Sequence, residues 1–198
     1  MENKKTAIIG TPCHMTAAAK MDMFTEYLGE STLDIKIGLF CMENFSYKSM
    51  QTLIEDHAGQ ALPSVKKVEI GKGKYWVYTT RGNVVTLPLK VTHKYEQPGC
   101  HVCLDYVSNL GDISTGSVGS PDGWSTVFVR TKQGEAVWNK AVASGMFETK
   151  AIEPGSEKPP LGLKGVGALA KEKIDKNRKR LEARKTFGVN KALRDYTA

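Results

Sequence analysis

Long apolar runs are missing from this sequence: nowhere do roughly eighteen apolar residues follow one another, so it offers no candidate membrane span. The opening residues Met1 to Lys5, followed by Ala7-Ile8-Ile9-Gly10, also lack the extended apolar region and small-residue cleavage site of a secretory signal. The expected location is therefore the cytoplasm, where thiols stay reduced and a disulfide framework does not form. Cysteine is sparse, at four residues, and aromatics make up only 8%. Net charge is absent from most of the chain. The overall excess is +7, yet residues 164–198 hold 11 Lys and Arg against 4 Asp and Glu, which accounts for all of it. The neutral body and the scarcity of aromatic stacking positions in the basic tail argue against a nucleic-acid-binding protein. The tail reads instead as a solvated helix that can dock on an acidic partner.

What is present suits a globular domain with a sizeable core: 198 residues, 40% hydrophobic and 25% charged. Residues 5–10 read as a strand, and Thr11 and Pro12 as cap and first turn of a helix running to residue 27. Cys13 then stands at a helix start, a position that favours a thiolate. Residues 34–41 read as a second, largely buried strand with Cys41 at its end, followed after a turn by a helix over 47–57. Strand, cysteine at its carboxyl end, turn and helix thus occur twice. Ligands of open α/β sheets gather at the carboxyl ends of strands, so the pattern brings Cys13 and Cys41 close together. Residues 65–70, 75–80 and 84–89 are strand-like, with a hairpin turn at 80–83. A loop over 93–99 leads to Cys100-His101-Val102-Cys103. Residues 124–130 return to strand, 134–145 form a helix, 153–160 are rich in proline and charge, and a basic helix covers 163–187.

The strongest chemical motif is Cys100-x-x-Cys103 in a stiff turn after Pro98-Gly99. Two thiolates at this spacing hold one metal or two corners of a cluster, and the same spacing suits a redox disulfide. No strand precedes the pair as in thioredoxin-like proteins, and Cys13 and Cys41 complete a set of four. Residues alone leave three readings open: an iron–sulfur cluster, a structural zinc site, or unrelated thiols. Cys41 at the end of an apolar strand is ordinary core, and Cys13 alone is a candidate nucleophile without a visible His–Asp pairing.

Two glycine-bearing segments accompany the cysteines. Gly71, Lys72, Gly73 and Lys74 form a turn with two lysines, suited to phosphate but equally an ordinary hairpin. Residues 114–124 are almost all Gly, Ser, Thr, Pro and Asp, which presents backbone N–H groups and hydroxyls with little bulk. That suits a surface wrapped around a large polar ligand such as a dinucleotide, although it does not match GxGxxG. Trp124 reads equally as core or as a ring-stacking partner, and no catalytic residue is identified.

Together the segments Thr11-Pro12-Cys13, Gly38-Leu39-Phe40-Cys41-Met42-Glu43-Asn44-Phe45, Ile70 to Lys74, Leu87-Pro88-Leu89, Tyr95 to Cys100, Cys103 and Asp112 to Thr126 resemble the beta subunit of coenzyme F420-reducing hydrogenase and its formate dehydrogenase and deazaflavin dehydrogenase relatives. The resemblance runs nearly the whole length. It implies an α/β (mixed α+β) fold, with a mixed sheet, flanking helices, long strand-end loops around a cluster and a basic C-terminal helix. Residues 1–152 would form the cofactor domain, 153–162 a linker, and 163–198 the basic helix and tail. It further implies one [4Fe-4S] cluster on Cys13, Cys41, Cys100 and Cys103, one FAD, and coenzyme F420 as substrate. Gly71, Lys72, Gly73, Lys74 and Thr115, Gly116, Ser117, Val118, Gly119, Ser120, Asp122, Gly123 and Trp124 become candidates for the FAD and F420 pocket. The implied partners are hydrogenase or formate dehydrogenase subunits in a hetero-oligomer, with electrons passing between cluster, flavin and F420, the last by hydride. Members of that family carry a further N-terminal segment before the first matching strand. The cluster ligands are all present here, while the remainder of the flavin pocket is either supplied by another chain, reduced in an abbreviated homologue, or lost to a misassigned start. A non-catalytic four-cysteine zinc or cluster scaffold is the alternative.

Overall fold

The computed structural model describes residues 6–24, 33–151 and 162–186. The expected linker, the end of the tail and the last part of the first helix lie outside them. The chain forms two units: one from residues 1–42 and 103–198, the other from residues 43–102.

The first unit is built on a four-stranded mixed sheet in the order β1 (Ala7–Gly10), β2 (Ile35–Leu39), β6 (Ile113–Gly116), β7 (Thr126–Val129). β1, β2 and β6 run parallel, and β7 is antiparallel to β6. A parallel pair requires a crossover, and α1 (Pro12–Met23) lies in the one between β1 and β2. Thr11 and Pro12 start this helix as their chemistry dictates, and Met15 and Ala18 are its buried apolar side chains.

Asp112 ties the unit together just ahead of β6. It is buried, and its Oδ2 accepts from Lys36 N at 2.8 Å while Oδ1 accepts from the Thr131 hydroxyl at 2.7 Å. Thr131 in turn caps α3 (Lys132–Ala143), its Oγ1 accepting from Gly134 N at 3.0 Å. One carboxylate therefore fixes strand β2 and the start of a helix, at the hydrogen-bond distances a charged acceptor favours. Gly38, next to the end of β2, stands where the strand tolerates no side chain. A Cβ there would lie 2.1 Å from Ser108 Cβ, and Ser108 Oγ donates to Leu39 O at 2.8 Å. The last element, α4 (Gly162–Thr186), has Val166, Lys173 and Asn177 buried along one stripe.

The second unit carries an antiparallel meander of β3 (Val65–Gly71), β4 (Lys74–Thr79) and β5 (Val84–Pro88). On β4 the alternation is strict, with Tyr75, Val77 and Thr79 buried, which places one face on a core. That core joins Tyr75, Val77 and Leu87 to Leu53, Ile54 and Ala58. The last three follow α2 (Tyr47–Thr52), which widens into a π-helical turn over Leu53–His57. Buried Tyr75 directs its hydroxyl to Met50 Sδ at 3.6 Å, and burial raises its pKa. The loop expected over 93–99 is more regular than anticipated: 3₁₀ turns cover Leu89–Lys94 and Pro98–Val102, so the CxxC motif begins inside a helical turn.

Candidate redox centre

The cysteines begin from the sheet register of the first unit. Gly10 of β1 pairs with Gly38 of β2, and Cys13 and Cys41 each lie three residues beyond those partners. Two parallel neighbours thus deliver two thiols from the same end of the sheet. Their settings differ, because Cys13 is already inside α1 whereas Cys41 stands in coil. Thr11 Oγ1 lies 3.1 Å from Cys13 Sγ, and Thr11 N donates to His14 Nδ1 at 3.2 Å. A neutral His14 with Nδ1 accepting carries its proton on Nε2.

Cys41 and Cys103 flank the excursion of the chain into the second unit, and the first unit holds both from the backbone. Cys41 N donates to Tyr106 O at 2.9 Å, and Cys103 Sγ donates to Asp105 O at 3.3 Å. Helix α4 supplies the remaining donors. Lys173, 2% exposed, donates from Nζ to Cys41 O at 2.6 Å and to Asp105 O at 2.7 Å. One turn on, Asn177 Nδ2 donates to Cys103 O at 2.7 Å. The basic helix expected to be a solvated tail therefore turns one lysine and one asparagine into the cysteine-bearing loops. The signal was present in the sequence: Val166, Leu169, Ala170, Lys173 and Asn177 recur at helical spacing, an apolar stripe that runs into two polar residues.

Tyr106 is buried beside Cys41. Its hydroxyl is pushed up to about 12, first by loss of solvent and second by the negative charge of the Cys41 thiolate. Phe40 packs near Tyr106 and stacks on Phe128, each with ring centroids 5.7 Å apart, which walls the Cys41 loop with aromatic surface.

Cys100 belongs to the second unit. Asn44 N donates to its sulfur at 3.3 Å, Cys100 N donates to Gln97 O at 2.8 Å, and Gln97 N donates to Asn44 O at 2.9 Å. An N–H directed at sulfur is the kind of contact that stabilises negative charge on a ligand thiolate. All four cysteines are thiols rather than disulfides, as the ligand reading requires.

The two glycine-bearing segments fall in different units. In the second, Lys72 and Gly73 have φ of 47° and 71°, the two positive values of a type I′ hairpin, and Lys72 and Lys74 are exposed. In the first, the segment 117–125 joins β6 to β7. Part of it is committed to packing: Gly119 has φ 92°, and a Cβ there would meet Val166 Cγ2 at 2.7 Å. Ser120 Oγ contacts the buried Thr126 hydroxyl at 2.6 Å, and Thr115 and Gly116 belong to β6. Ser117, Asp122, Gly123 and Trp124 remain exposed, Trp124 at 38%, so its ring is not core. Beside Gly119, an apolar groove of about 340 Å³ runs between Phe128 and Val129 of β7 and Leu163 and Ala170 of α4, a surface sequence reasoning did not single out.

Residues 3–155 match the family described as the C terminus of the beta subunit of coenzyme F420 hydrogenase/dehydrogenase. The coenzyme F420 hydrogenase subunit beta of Methanosarcina barkeri is 63% identical over 193 residues, which cover 96% of this chain and 65% of that protein. The corresponding subunit of Methanococcus voltae is 47% identical over 186 residues, covering 94% and 65%. A chain in the xenon-derivatised structure of the F420-reducing [NiFe] hydrogenase complex from Methanosarcina barkeri superposes with a TM-score of 0.86 at 63% identity, covering 98% of this chain and 66% of that one. The chain spans just under two thirds of the length of these relatives.

Proposed function

The chain belongs to the family defined by the C terminus of the coenzyme F420 hydrogenase/dehydrogenase beta subunit, and from that premise we propose that it is the electron-transfer part of a coenzyme F420-dependent hydrogenase. On this reading Cys13, Cys41, Cys100 and Cys103 hold one [4Fe-4S] cluster, and FAD and F420 occupy a pocket to which turn 71–74 and loop 115–124 contribute. The partner subunits are those of a cytoplasmic hydrogenase complex, with formate dehydrogenase subunits as the second candidate. Among the described residues no helix is long and apolar enough to cross a membrane.

The observation that carries the reading is the shared offset of Cys13 and Cys41 beyond the Gly10–Gly38 pair, with Lys173 and Asn177 anchoring the backbones of Cys41 and Cys103. The donor set fits a cluster: four thiols, an N–H on one sulfur, and a buried ammonium near two cysteine-bearing loops. When bound, the cluster exchanges single electrons, and a flavin converts these to the two-electron chemistry of coenzyme F420. The chain's own residues do the rest. Lys173 and Asn177 hold the ligand loops in place and set positive charge against the thiolates. Phe40, Tyr106 and Phe128 exclude water from the Cys41 loop. Lys72 and Lys74 offer exposed cations for phosphate, and Trp124 offers an exposed ring for stacking.

Anaerobic purification with iron, sulfide, zinc and flavin quantification tests this reading. About four iron and four sulfide per chain are expected, with broad visible absorption that Cys100→Ser abolishes. Zinc in place of iron, with no charge-transfer absorption, would refute it in favour of a structural scaffold.

A further inference from the structure

We propose that Glu43, His93 and Glu96 of the second unit form a binding site for one first-row divalent cation, separate from the four cysteines, with His101 as its supporting partner. One donor atom from each of Glu43, His93 and Glu96 lies within 4.8 Å of the other two. Glu96 is the centre of the group. Its side chain is 1% exposed, its Oε1 lies 2.6 Å from His93 Nδ1, and its Oε2 lies 3.1 Å from His101 Nε2. The His93 contact is a hydrogen bond, while His101 makes an ion-pair contact whose angle lies off the hydrogen-bond direction.

The backbone around these residues is fixed independently of the side chains. Phe45 and Glu96 form an antiparallel bridge, and Gln97 N donates to Asn44 O, which together pin the segment after Glu43 against the segment carrying Glu96. His93 sits in the 3₁₀ turn Leu89–Lys94, which is closed by Tyr95 N donating to Thr92 O at 2.8 Å. His101 sits in the turn Pro98–Val102. Two carboxylates and one imidazole from separate stretches of chain therefore converge, with the imidazole of His101 behind Glu96.

The chemistry favours a divalent ion over a set of ion pairs. Two carboxylates, one of them buried, oppose each other unless a cation stands between them. Imidazoles supply that charge only while protonated, whereas a divalent ion supplies it permanently and takes the same imidazole nitrogen as a ligand. Ligands at about 2.0–2.2 Å from zinc stand roughly 3–4 Å apart, so small side-chain movements convert the observed spacing into a coordination shell. One nitrogen and two carboxylate oxygens suit zinc, iron(II), cobalt(II) or manganese(II), whereas calcium and magnesium prefer oxygen alone and copper(I) prefers sulfur. His101, against the second oxygen of Glu96, is placed as an outer partner that orients a ligating carboxylate.

Cobalt(II) is the probe, because it reports its ligands. The full chain, purified anaerobically with whatever iron and sulfide it carries and stripped of loosely held metal, is titrated with cobalt(II) and then with zinc(II) in competition. One equivalent is expected to bind with weak visible bands and no sulfur-to-cobalt charge-transfer band, and zinc should displace it. Glu43→Gln and His93→Ala, both at partly exposed positions, should each weaken binding by about tenfold or more, while Cys100→Ser should leave it unchanged. Glu96→Gln should abolish it, and circular dichroism checks that this variant still folds. Absence of the weak bands in the unaltered chain, or equal affinity in the Glu43→Gln and His93→Ala variants, overturns the proposal. A charge-transfer band from cobalt on thiols reports instead on the cysteines, so failure of the cluster reading is separately visible.

Discussion

Replacing Lys173 with methionine tests whether the basic helix is part of the centre or an appendage to it. The substitution preserves most of the volume and removes the ammonium that bridges Cys41 O and Asp105 O. Each of those carbonyls then lacks a charged donor in a buried setting, at about 1–3 kcal/mol apiece. Part of this is offset, because burying an ammonium itself costs several kcal/mol and methionine is spared that cost. We expect a net loss of about 2–4 kcal/mol, or a fall of roughly 5–15 °C in Tm for a chain of this length. Urea unfolding followed by circular dichroism measures the loss, with Lys179→Met as control on an exposed position of the same helix, where a change within about 0.5 kcal/mol is expected. The loosened Cys41 and Cys103 loops should also lose visible absorbance faster under an iron chelator. Equal stability and equal loss of absorbance in the two variants would refute the anchoring role.

Further outcomes follow from other contacts. Gly38→Ala should cost about 1–3 kcal/mol, because its Cβ would lie 2.1 Å from that of Ser108, and Ser108→Gly should restore part of the loss in the double variant. The Tyr106 hydroxyl titrates near 12 in the folded chain against 10 when unfolded, so its contribution is complete below pH 10 and is lost as pH rises through 12. Tyr106→Phe should remove on the order of 2–3 kcal/mol of alkaline pH dependence from the difference between the two unfolding curves, and parallel curves would contradict the buried setting. If the proposed docking of this helix on an acidic partner holds, charge reversal of exposed Lys164 and Lys179 should weaken that association in a salt-dependent way while leaving visible absorbance intact; unchanged association would remove the outer face from the interface.

Much of the architecture was legible because it rests on local chemistry. Thr11-Pro12 is favourable chemistry for a helix start, and the alternation of Tyr75, Val77 and Thr79 marks a one-sided strand. The strand-end placement of Cys13 and Cys41 followed from two similar patterns, and the register gives them the same offset. Non-local contacts were not legible. Nothing near Asp112 in the sequence announces that its carboxylate joins Lys36 to Thr131 across 76 and 19 residues. The glycines of loop 115–124 looked equivalent, whereas Gly119 is committed to Val166 and Gly123 is exposed with nothing near its Cβ position. The Glu43, His93, Glu96 and His101 group was invisible for a related reason: its members are spread over nearly sixty residues, and non-local ties such as the Phe45–Glu96 bridge and the Gln97–Asn44 hydrogen bond unite them.

The fate of the C-terminal charge shows why a count of lysines does not describe a surface. Burying one ammonium is costly enough that it persists only where acceptors are fixed in its reach. The loops bearing Cys41 and Asp105 meet that condition because they have left the sheet: Cys41 lies beyond the end of β2, and Asp105 precedes β6. Outside the sheet ladder, their carbonyls need donors from elsewhere, which the loops' own contacts supplement but do not replace. A helix arriving from elsewhere in the chain resolves this, and a long flexible side chain reaches two carbonyls at once where a shorter one would reach one. Asn177, one turn on, does the same for Cys103 with a neutral group. Lysine and asparagine on this face follow from the geometry of the cysteine loops, while Lys164 and Lys179 stand on the exposed face, and Lys171 pairs there with Asp175. The single basic helix thus divides into a structural face and an interaction face, and substitutions on the two should separate loss of stability from loss of association.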